Sequence, residues 1–106
     1  MQPTTVNLTN DQVASGLADH SIVLVDVREP YEFEAGHIPG SVNLPLSAFD
    51  IEALPFEDGK TMVLSCQAGR RSQQAMDYCR AQGVDVSHHL AHGFGGWAQA
   101  GFPVAY

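Results

Sequence analysis

The sequence predicts an α/β domain with a mostly parallel central sheet and helices on both faces. Residues 22–25 and 62–64 are short, continuously apolar stretches, which is typical of strands covered on both faces. Segments with helical patterns lie between these stretches, and a third core strand is predicted within residues 84–90. Strands that alternate with helices favour parallel pairing. The length of 106 residues suits a single domain spanning residues 1–106.

The first half of the chain is predicted to contribute two strands and two helices. Thr9 or Asn10 is expected to cap the first helix, because the side-chain oxygen of either residue can accept a hydrogen bond from a free amide there. Pro30 suits the first turn of the second helix, where an amide hydrogen has no partner. The predicted elements are a strand at 5–8, a helix from 10 to about 17, a strand at 21–27 and a helix at 30–35.

The second half is predicted to contain a long helix, two further strands and several short helical pieces. Ala75, Met76 and Cys79 fall on one face of the long helix, so Cys79 is predicted to pack in the core. Trp97, together with Phe33 in the first half, is predicted to anchor the core. The predicted elements are an ordered loop at 36–45, short helical pieces at 46–54, a turn at 57–60, a strand at 61–65, a helix at 71–82, a strand within 84–90 and a short helix at 93–100.

The charge and composition argue against several classes of partner. The formal net charge is −7, which disfavours nucleic acid and anionic membrane surfaces, because their phosphates would repel the protein. No apolar stretch approaches the roughly 20 residues that span a membrane, and the N-terminus carries no signal-peptide pattern. The two cysteines do not resemble a disulfide framework. We therefore expect a cytoplasmic protein with no nucleic-acid partner and no membrane partner.

The loop after the predicted strand at 61–65 is the first candidate for chemistry. Its sequence, CQAGRRS, follows the carboxyl end of that strand, where the active groups of parallel sheets collect. Gly69 allows the loop to close on itself, and the amides of the following helix start add partial positive charge. Arg70 and Arg71, two of only five Lys and Arg residues, add full positive charge. Such surroundings favour a thiolate, so Cys66 is predicted to be a nucleophile; the alternative is a small buried apolar residue.

Three motifs follow one another along the chain in an order that one known family shares. The loop CQAGRRS has the pattern C-x-x-G-x-R-S. Upstream of it lies DVREPYEFEAGHIPGSVNLP at 26–45, and downstream lies LAHGFGGWAQAGFPV at 90–104. All three resemble signatures of the rhodanese-like sulfurtransferase family. Because the motifs cover most of the chain, the resemblance implies a single rhodanese-like domain.

The resemblance implies a thiosulfate sulfurtransferase that works by covalent double displacement. In this family a cysteine thiolate takes the outer sulfur of a donor such as thiosulfate and becomes a persulfide. Cyanide, a small thiol or thioredoxin then removes that sulfur. Neither a metal nor another cofactor is implied. Carried over to this chain, the catalytic residue is Cys66, and the residues that bind the donor and the persulfide are Gln67, Ala68, Gly69, Arg70, Arg71 and Ser72.

Three other functions stay open on the sequence alone, and the last of them is disfavoured. The chain is alternatively a persulfide carrier, or a non-catalytic module, that acts with a protein partner. Rhodanese-related phosphatases and arsenate reductases use a C-x5-R loop, whereas the position six residues after Cys66 is Ser72 here, and the last Arg of the loop is Arg71. The shorter C-x4-R loop is expected to suit a sulfur atom and to crowd a tetrahedral phosphate.

The two loop arginines are predicted to have different roles. Arg71 occupies the family's Arg position and is expected to turn inward and pair with Glu32, or failing that with Glu29. Arg70 occupies the variable position and is the better candidate for contact with substrate. Three other polar residues of the upstream motif are predicted to be mainly structural: Asp26, Arg28 and His37.

The histidines near the end of the chain invite a zinc interpretation, but the pattern does not support one. They lack the spacing and the Cys or carboxylate support of a recognised site. His88 and His89 are expected to face opposite sides of a strand. His92 stands where the family signature usually has glycine. Its side chain is therefore expected either to reach the rim of the pocket, where it would tune substrate choice, or to strain the turn.

Overall fold

A computed structural model describes the fold for residues 5–106. Residues 1–4, which entered the prediction that no signal peptide is present, lie outside the described residues. The strands are β1 Val6–Leu8, β2 Ile22–Asp26, β3 Val42–Asn43, β4 Thr61–Ser65 and β5 His88–Leu90. They form one sheet in the order β1-β5-β4-β2-β3, and every neighbouring pair is parallel. The predicted parallel sheet is confirmed.

Helices and short 3-10 turns connect the strands. The helices are α1 Asn10–Ala18, α2 Pro30–Ala35, α3 Arg70–Ala81 and α4 Gly93–Gln99, and the 3-10 turns are Leu46–Ala48 and Ile51–Ala53. Thr9 caps α1: its Oγ1 accepts a hydrogen bond from Gln12 N at 3.2 Å, and Gln12 Oε1 accepts one from Thr9 N at 2.9 Å. Within residues 5–106, no helix has the length and apolar character needed to cross a membrane.

The core consists of two apolar layers, one on each face of the sheet. Neighbouring residues of β4 point to opposite faces, so Leu64 belongs to one layer and Val63 to the other. Helix α3 covers the Leu64 layer, where Cys79 is fully buried as predicted. Helices α1 and α4 cover the Val63 layer through Val13 and Trp97. The predicted fold class, a parallel sheet with helices on both faces, is therefore confirmed.

Two features differ from the sequence-based expectations. The predicted loop after α2 contains β3, in which Val42 and Asn43 pair with β2; a two-residue strand is too short to show an alternating pattern. Phe33 does not anchor the core, because α2 buries none of its residues. The Phe33 ring instead stacks on the His37 ring, with centroids 3.7 Å apart. His37 Nδ1 lies 2.8 Å from Phe33 O, which confirms that His37 anchors its loop.

The parallel topology brings three segments together at one edge of the sheet. Strands β2, β4 and β5 are adjacent and end at the same side. The segments that follow them begin at Val27, Cys66 and Ala91. Each segment belongs to one of the three sequence motifs, so the fold places the three motifs next to one another at this edge of the sheet.

Candidate active site

The loop between β4 and α3 wraps around the sulfur of Cys66. Gly69, directly before α3, has a left-handed backbone with φ of 99°, which residues with a side chain rarely adopt. A Cβ atom at Gly69 would also lie 2.3 Å from Ala91 O, far inside van der Waals contact. This conformation turns the amide of Gly69 toward the loop centre, where its N lies 3.1 Å from Cys66 Sγ. Glycine at this position therefore shapes the cradle around the sulfur.

The Cys66 sulfur is buried but faces polar groups. Only 1% of the residue is exposed, and Sγ lies 3.5 Å from Ser72 Oγ. Burial raises the pKa of the thiol, yet hydrogen bonds from the Ser72 side chain and from the amides of Ser72, Ala68 and Gly69 outweigh it, so the pKa lies below its ordinary value. At Cys79 burial acts alone and raises the pKa. The surroundings therefore make the Cys66 sulfur easier to ionise than an ordinary thiol and the Cys79 sulfur harder to ionise.

The predicted loop residues divide into a buried set and a surface set. Within residues 5–106, Arg70 is the one Lys or Arg residue that makes no ion pair. It is exposed at the first position of α3, beside the sulfur cradle. The Arg70 guanidinium therefore lies on the surface of the loop without an ion-pair partner among the described residues. The buried set is Cys66, Gly69 and Ser72, and the surface set is Gln67, Ala68 and Arg70, with Arg71 half-buried between the two sets.

Arg71 pairs with Glu32, as predicted, and its side chain is half-buried. Its two terminal nitrogens donate to the two carboxylate oxygens of Glu32, at 2.6 and 3.0 Å. The alternative partner, Glu29, instead accepts a hydrogen bond from Ser47 Oγ at 2.6 Å. The hydrogen bonds from Arg71 lower the pKa of Glu32 to about 2. This two-pronged pair joins α2 to the first turn of α3 and fixes the start of the helix that carries the loop.

The Glu32–Arg71 pair gives a pH-dependent contribution to stability. Because the folded-state pKa of Glu32 is below its ordinary value of 4.5, the stabilisation is present above about pH 4.5 and is lost as the pH falls toward about 2. Glu32→Gln is expected to lower the free energy of unfolding by about 1 kcal/mol at pH 7, since both side chains keep some contact with solvent. Urea unfolding of both proteins from pH 7 to pH 2 measures this difference.

Glu34 on the same helix provides the matched control, because it is exposed and makes no ion pair within residues 5–106. Glu34→Gln is expected to leave the free energy of unfolding nearly unchanged. A Glu32→Gln effect that stayed constant down to pH 2 would contradict the assigned role of the carboxylate.

Arg28 links the three motifs through a buried network. Its Nη2 and the Asp26 carboxylate are 2.9 Å apart, and both side chains are only 3% exposed. Arg28 also donates to Gln67 Oε1 at 3.3 Å, and its guanidinium lies 4.4 Å from the centroid of the Phe94 ring. A further hydrogen bond of 2.7 Å reaches Gly36 O. The predicted structural role of Asp26 and Arg28 is confirmed, and their network reaches the Cys66 loop through Gln67.

The turn that begins α4 packs against the backbone of the Cys66 loop. Phe94 N donates to Cys66 O at 2.7 Å, and Gly95 N donates to Gln67 O at 3.0 Å. A Cβ atom at Gly93 would lie 2.3 Å from Cys66 O, so no side chain fits there. The glycines of the C-terminal motif thus allow the backbone of α4 to approach the backbone of the Cys66 loop and to hydrogen-bond to it.

His89 is a neighbour of the loop that the sequence interpretation did not find. Its ring is buried, with Nδ1 2.9 Å from Ser72 Oγ and Nε2 2.8 Å from Asn7 Oδ1. Burial, with a smaller contribution from the charge of Arg80, lowers the pKa of His89. A signal exists in the sequence: β5 is predicted as a core strand, and a histidine inside such a strand needs polar partners.

The other histidines lie away from the sulfur or point outward. His88 pairs with Val63 and His89 with Leu64, and these two residues of β4 point to opposite faces of the sheet. The two histidines therefore face opposite sides of β5, as predicted, and His89 is the one that contacts the loop. His92 is exposed and has φ of −96°, so it does not strain the turn. Its effect on substrate choice stays a prediction. Within residues 5–106, no group of three or more His, Cys, Asp or Glu side chains is arranged to hold a metal ion.

The fold and the loop define a class of protein: a parallel α/β domain with a buried cysteine cradled beyond its central strand. A sequence profile of the rhodanese-like domain matches residues 9–100. The chain therefore belongs to the rhodanese-like family, which confirms the interpretation of the three motifs.

Relatives by sequence include proteins of different length. A Synechocystis protein described as uncharacterized, slr1261, is 46% identical over 83 residues, which are 78% of this chain but only 46% of that protein. This chain thus corresponds to less than half the length of slr1261. A sulfurtransferase of Allochromatium vinosum is 32% identical over 98 residues, which are 92% of both chains. The relatives therefore include a sulfurtransferase of similar size.

Solved structures with the same fold include a sulfurtransferase and a protein of unknown function described as a possible tyrosine phosphatase. The human single-domain sulfurtransferase TSTD1 is 28% identical, with a TM-score of 0.74 over 88% of this chain and 95% of that chain. RPA3614 of Rhodopseudomonas palustris, a possible tyrosine phosphatase, is 27% identical, with a TM-score of 0.77 over 95% of this chain and 85% of that chain. The fold is compatible with a sulfurtransferase and with a phosphatase, so the length and contacts of the Cys66 loop are needed to distinguish them.

Proposed function

We propose that the protein is a thiosulfate sulfurtransferase that moves sulfane sulfur to cyanide, a small thiol or thioredoxin through a persulfide on Cys66. The observation that carries this proposal is the cradle of hydrogen-bond donors around Sγ, with Gly69 N at 3.1 Å. Family membership and the sulfurtransferase relatives support the same reaction. The proposal includes a single domain and a cytoplasmic, reducing setting, which would keep Cys66 available as a thiol.

The first half-reaction uses the thiolate that the loop favours. The Cys66 thiolate attacks the outer sulfur of thiosulfate, a new S–S bond forms, and the donor S–S bond breaks with its electron pair leaving on sulfite. The product is a persulfide whose terminal sulfur carries the negative charge. The amides of Ala68, Gly69 and Ser72 face Sγ, and the loop amides from Gln67 to Ser72 are expected to stabilise the charge as donors in an oxyanion hole do.

The second half-reaction returns the enzyme to its starting state. Cyanide or a thiolate attacks the terminal sulfur, the S–S bond to Cys66 breaks, and the electron pair returns to Sγ as a thiolate. Every step is a displacement at sulfur, so the residues of the loop supply what the cycle requires. A persulfide carrier that passes the sulfur to a protein partner would use the same Cys66 chemistry and differs only in its acceptor.

Release of sulfite in a single turnover tests the proposed donor reaction. Enzyme mixed with excess thiosulfate, without an acceptor, is expected to release one sulfite per protein molecule, and Cys66→Ser is expected to release none. Thiocyanate formation with cyanide and turnover with reduced thioredoxin then rank the acceptors. Equal sulfite release from Cys66→Ser would contradict the proposal.

Arg70 is proposed to bind the anionic donor, since it is exposed beside the loop and makes no ion pair among residues 5–106. Arg70→Gln is expected to raise KM for thiosulfate about two- to fivefold while kcat changes little, as for loss of one solvent-exposed ionic contact. Lys60→Gln removes the same charge at the opposite end of β4 and is expected to leave KM unchanged. An equal rise in KM for both variants would indicate a general charge effect instead.

Phosphatase activity is disfavoured by the shape of the loop. A C-x5-R loop would place its Arg at residue 72, where Ser72 lies 3.5 Å from Cys66 Sγ. Arg71 is committed to Glu32 and is not directed into the cradle. Turnover of an aryl phosphate, lost in Cys66→Ser, would reverse this ranking.

A further inference from the structure

A continuous chain of polar contacts leads from the buried sulfur to the protein surface. Cys66 Sγ lies 3.5 Å from Ser72 Oγ, Ser72 Oγ lies 2.9 Å from His89 Nδ1, and His89 Nε2 lies 2.8 Å from Asn7 Oδ1. The exposed fraction is 1% at Cys66, 0% at Ser72 and 5% at His89, whereas Asn7 is exposed.

The sheet register explains why these side chains meet. His89 is paired with Leu64 of β4 on one side and with Asn7 of β1 on the other, so all three point to the same face. Helix α3 covers that face, and its first turn places Ser72 Oγ 2.9 Å from His89 Nδ1. The chain of contacts is thus built by three separate elements around the Cys66 loop.

The number of hydrogens restricts how this chain can be arranged. A serine hydroxyl has one hydrogen, and a neutral imidazole has one N–H. If the thiol donates to Ser72 Oγ and the hydroxyl donates to His89 Nδ1, the ring proton is on Nε2 and donates to Asn7 Oδ1. The hydroxyl can instead donate to Gly69 O, which lies 3.1 Å away. If the sulfur is ionised and the hydroxyl donates to it, His89 can support the hydroxyl only by donating from Nδ1. When the hydroxyl donates to His89 Nδ1 in the thiol state, the two states of the sulfur run in opposite directions along the chain.

We propose that Ser72, His89 and Asn7 form a hydrogen-bond relay that reverses direction when Cys66 ionises and then supports the thiolate. In the reversal the thiol proton moves to Ser72 Oγ, the hydroxyl proton moves to His89 Nδ1, and the Nε2 proton leaves to water beside Asn7. One proton therefore leaves the buried sulfur and one reaches solvent. Asn7 serves both directions, because its amide can present either its oxygen or its NH₂ group.

His89 is a positioning residue in this scheme, since it acts on the sulfur through Ser72. The inference rests on the proposed function in one respect: the Cys66 thiolate is the species that attacks the sulfur donor. The charged groups near the relay are Arg80 and Arg71 of α3. Burial and then Arg80 lower the pKa of His89, and Glu32, with smaller contributions from Cys66 and Asp26, raises the pKa of Arg71. Strand β1 contributes only the uncharged Asn7. His89 therefore reverses as a neutral ring through its tautomers and does not need to become a cation.

The thiolate absorbance of Cys66, measured against pH with Cys66→Ser as the background, tests the relay. His89→Met is expected to raise the apparent pKa of Cys66 by about one unit, a tenfold loss of thiolate below that pKa, because the hydroxyl loses its supporting donor. His89→Gln keeps a donor and is expected to restore most of the shift. His88→Met, on the opposite face of β5, is the matched control and should leave the titration unchanged. Equal titration curves for wild type and a folded His89→Met variant would overturn the proposal.

A second measurement needs no substitution and does not depend on how well the variants fold. In protein labelled with ¹⁵N-histidine, His89 is expected to change from the Nε2–H to the Nδ1–H tautomer over the pH interval in which Cys66 ionises. An unchanged tautomer across that interval would overturn the proposal. Neither measurement requires sulfur transfer, so failure of the relay and failure of thiosulfate as donor are distinguished.

Discussion

Gly69→Ala is expected to impair sulfur loading by at least about tenfold, because the loop cannot keep its shape with a side chain at this position. The left-handed backbone, with φ of 99°, costs about 1–2 kcal/mol for a residue with a Cβ atom. The added atom would also lie 2.3 Å from Ala91 O, so the backbone must move. Movement of the Gly69 amide lengthens its 3.1 Å contact with Cys66 Sγ and withdraws support from the thiolate.

Gly83→Ala is the matched control for this substitution. Gly83 also has a positive φ, 79°, but a Cβ atom there would meet no atom within 4 Å. Both variants are expected to lose stability through backbone strain, and only Gly69→Ala is expected to raise the Cys66 pKa and slow sulfite release. The same rate of sulfite release in the two variants would contradict the role given to the cradle.

Asp26→Ala is expected to lower the free energy of unfolding by about 3–5 kcal/mol, because it leaves the buried Arg28 charge without its carboxylate. Arg28 donates to that carboxylate through Nε and Nη2, at distances from 2.9 to 3.2 Å. Its remaining hydrogen-bond acceptors, Gly36 O and Gln67 Oε1, are neutral and do not compensate a charge. Because Gln67 belongs to the Cys66 loop, sulfur loading is expected to fall as well. Urea unfolding at pH 7 measures the loss of stability.

Two variants separate burial from charge. Glu57→Ala breaks the ion pair between Glu57 and Lys60, in which the side chains are 57% and 29% exposed. It is expected to lower the free energy of unfolding by less than about 1 kcal/mol. The double variant Asp26→Leu with Arg28→Met removes both buried charges and is expected to recover much of the stability lost in Asp26→Ala. A loss for Asp26→Ala as small as that for Glu57→Ala would show that the Asp26–Arg28 network does not support the fold as described.

The parts of the site that the sequence predicted are those with local signals. The Cys66 loop follows a continuous apolar strand and combines a glycine with two scarce cations, so its position is visible in a short stretch, and its chemistry stays a prediction. The pairing of Arg71 with Glu32 follows the resemblance instead, since the upstream motif carries four carboxylates, at residues 26, 29, 32 and 34, and their number alone does not select Glu32. Strand β4 is found at the predicted bounds, Thr61–Ser65.

The parts that were missed depend on contacts between distant residues. Ser72 and Asn7, which meet His89, are 17 and 82 residues from it along the chain. Strand β3 is only two residues long, and Asn43 within it gains its role by donating to the carbonyls of Asp26 and Arg28, at 3.0 and 2.9 Å. No periodic pattern reports such contacts, because they arise only when the sheet has assembled.

Intact-protein mass spectrometry after thiosulfate treatment tests most directly whether the residue-66 sulfur carries the transferred atom. The mass of one additional sulfur atom is expected on the wild-type protein, removable by cyanide and absent from Cys66→Ser. A wild-type protein that gains no mass, or a Cys66→Ser protein that gains the same mass, would contradict the account.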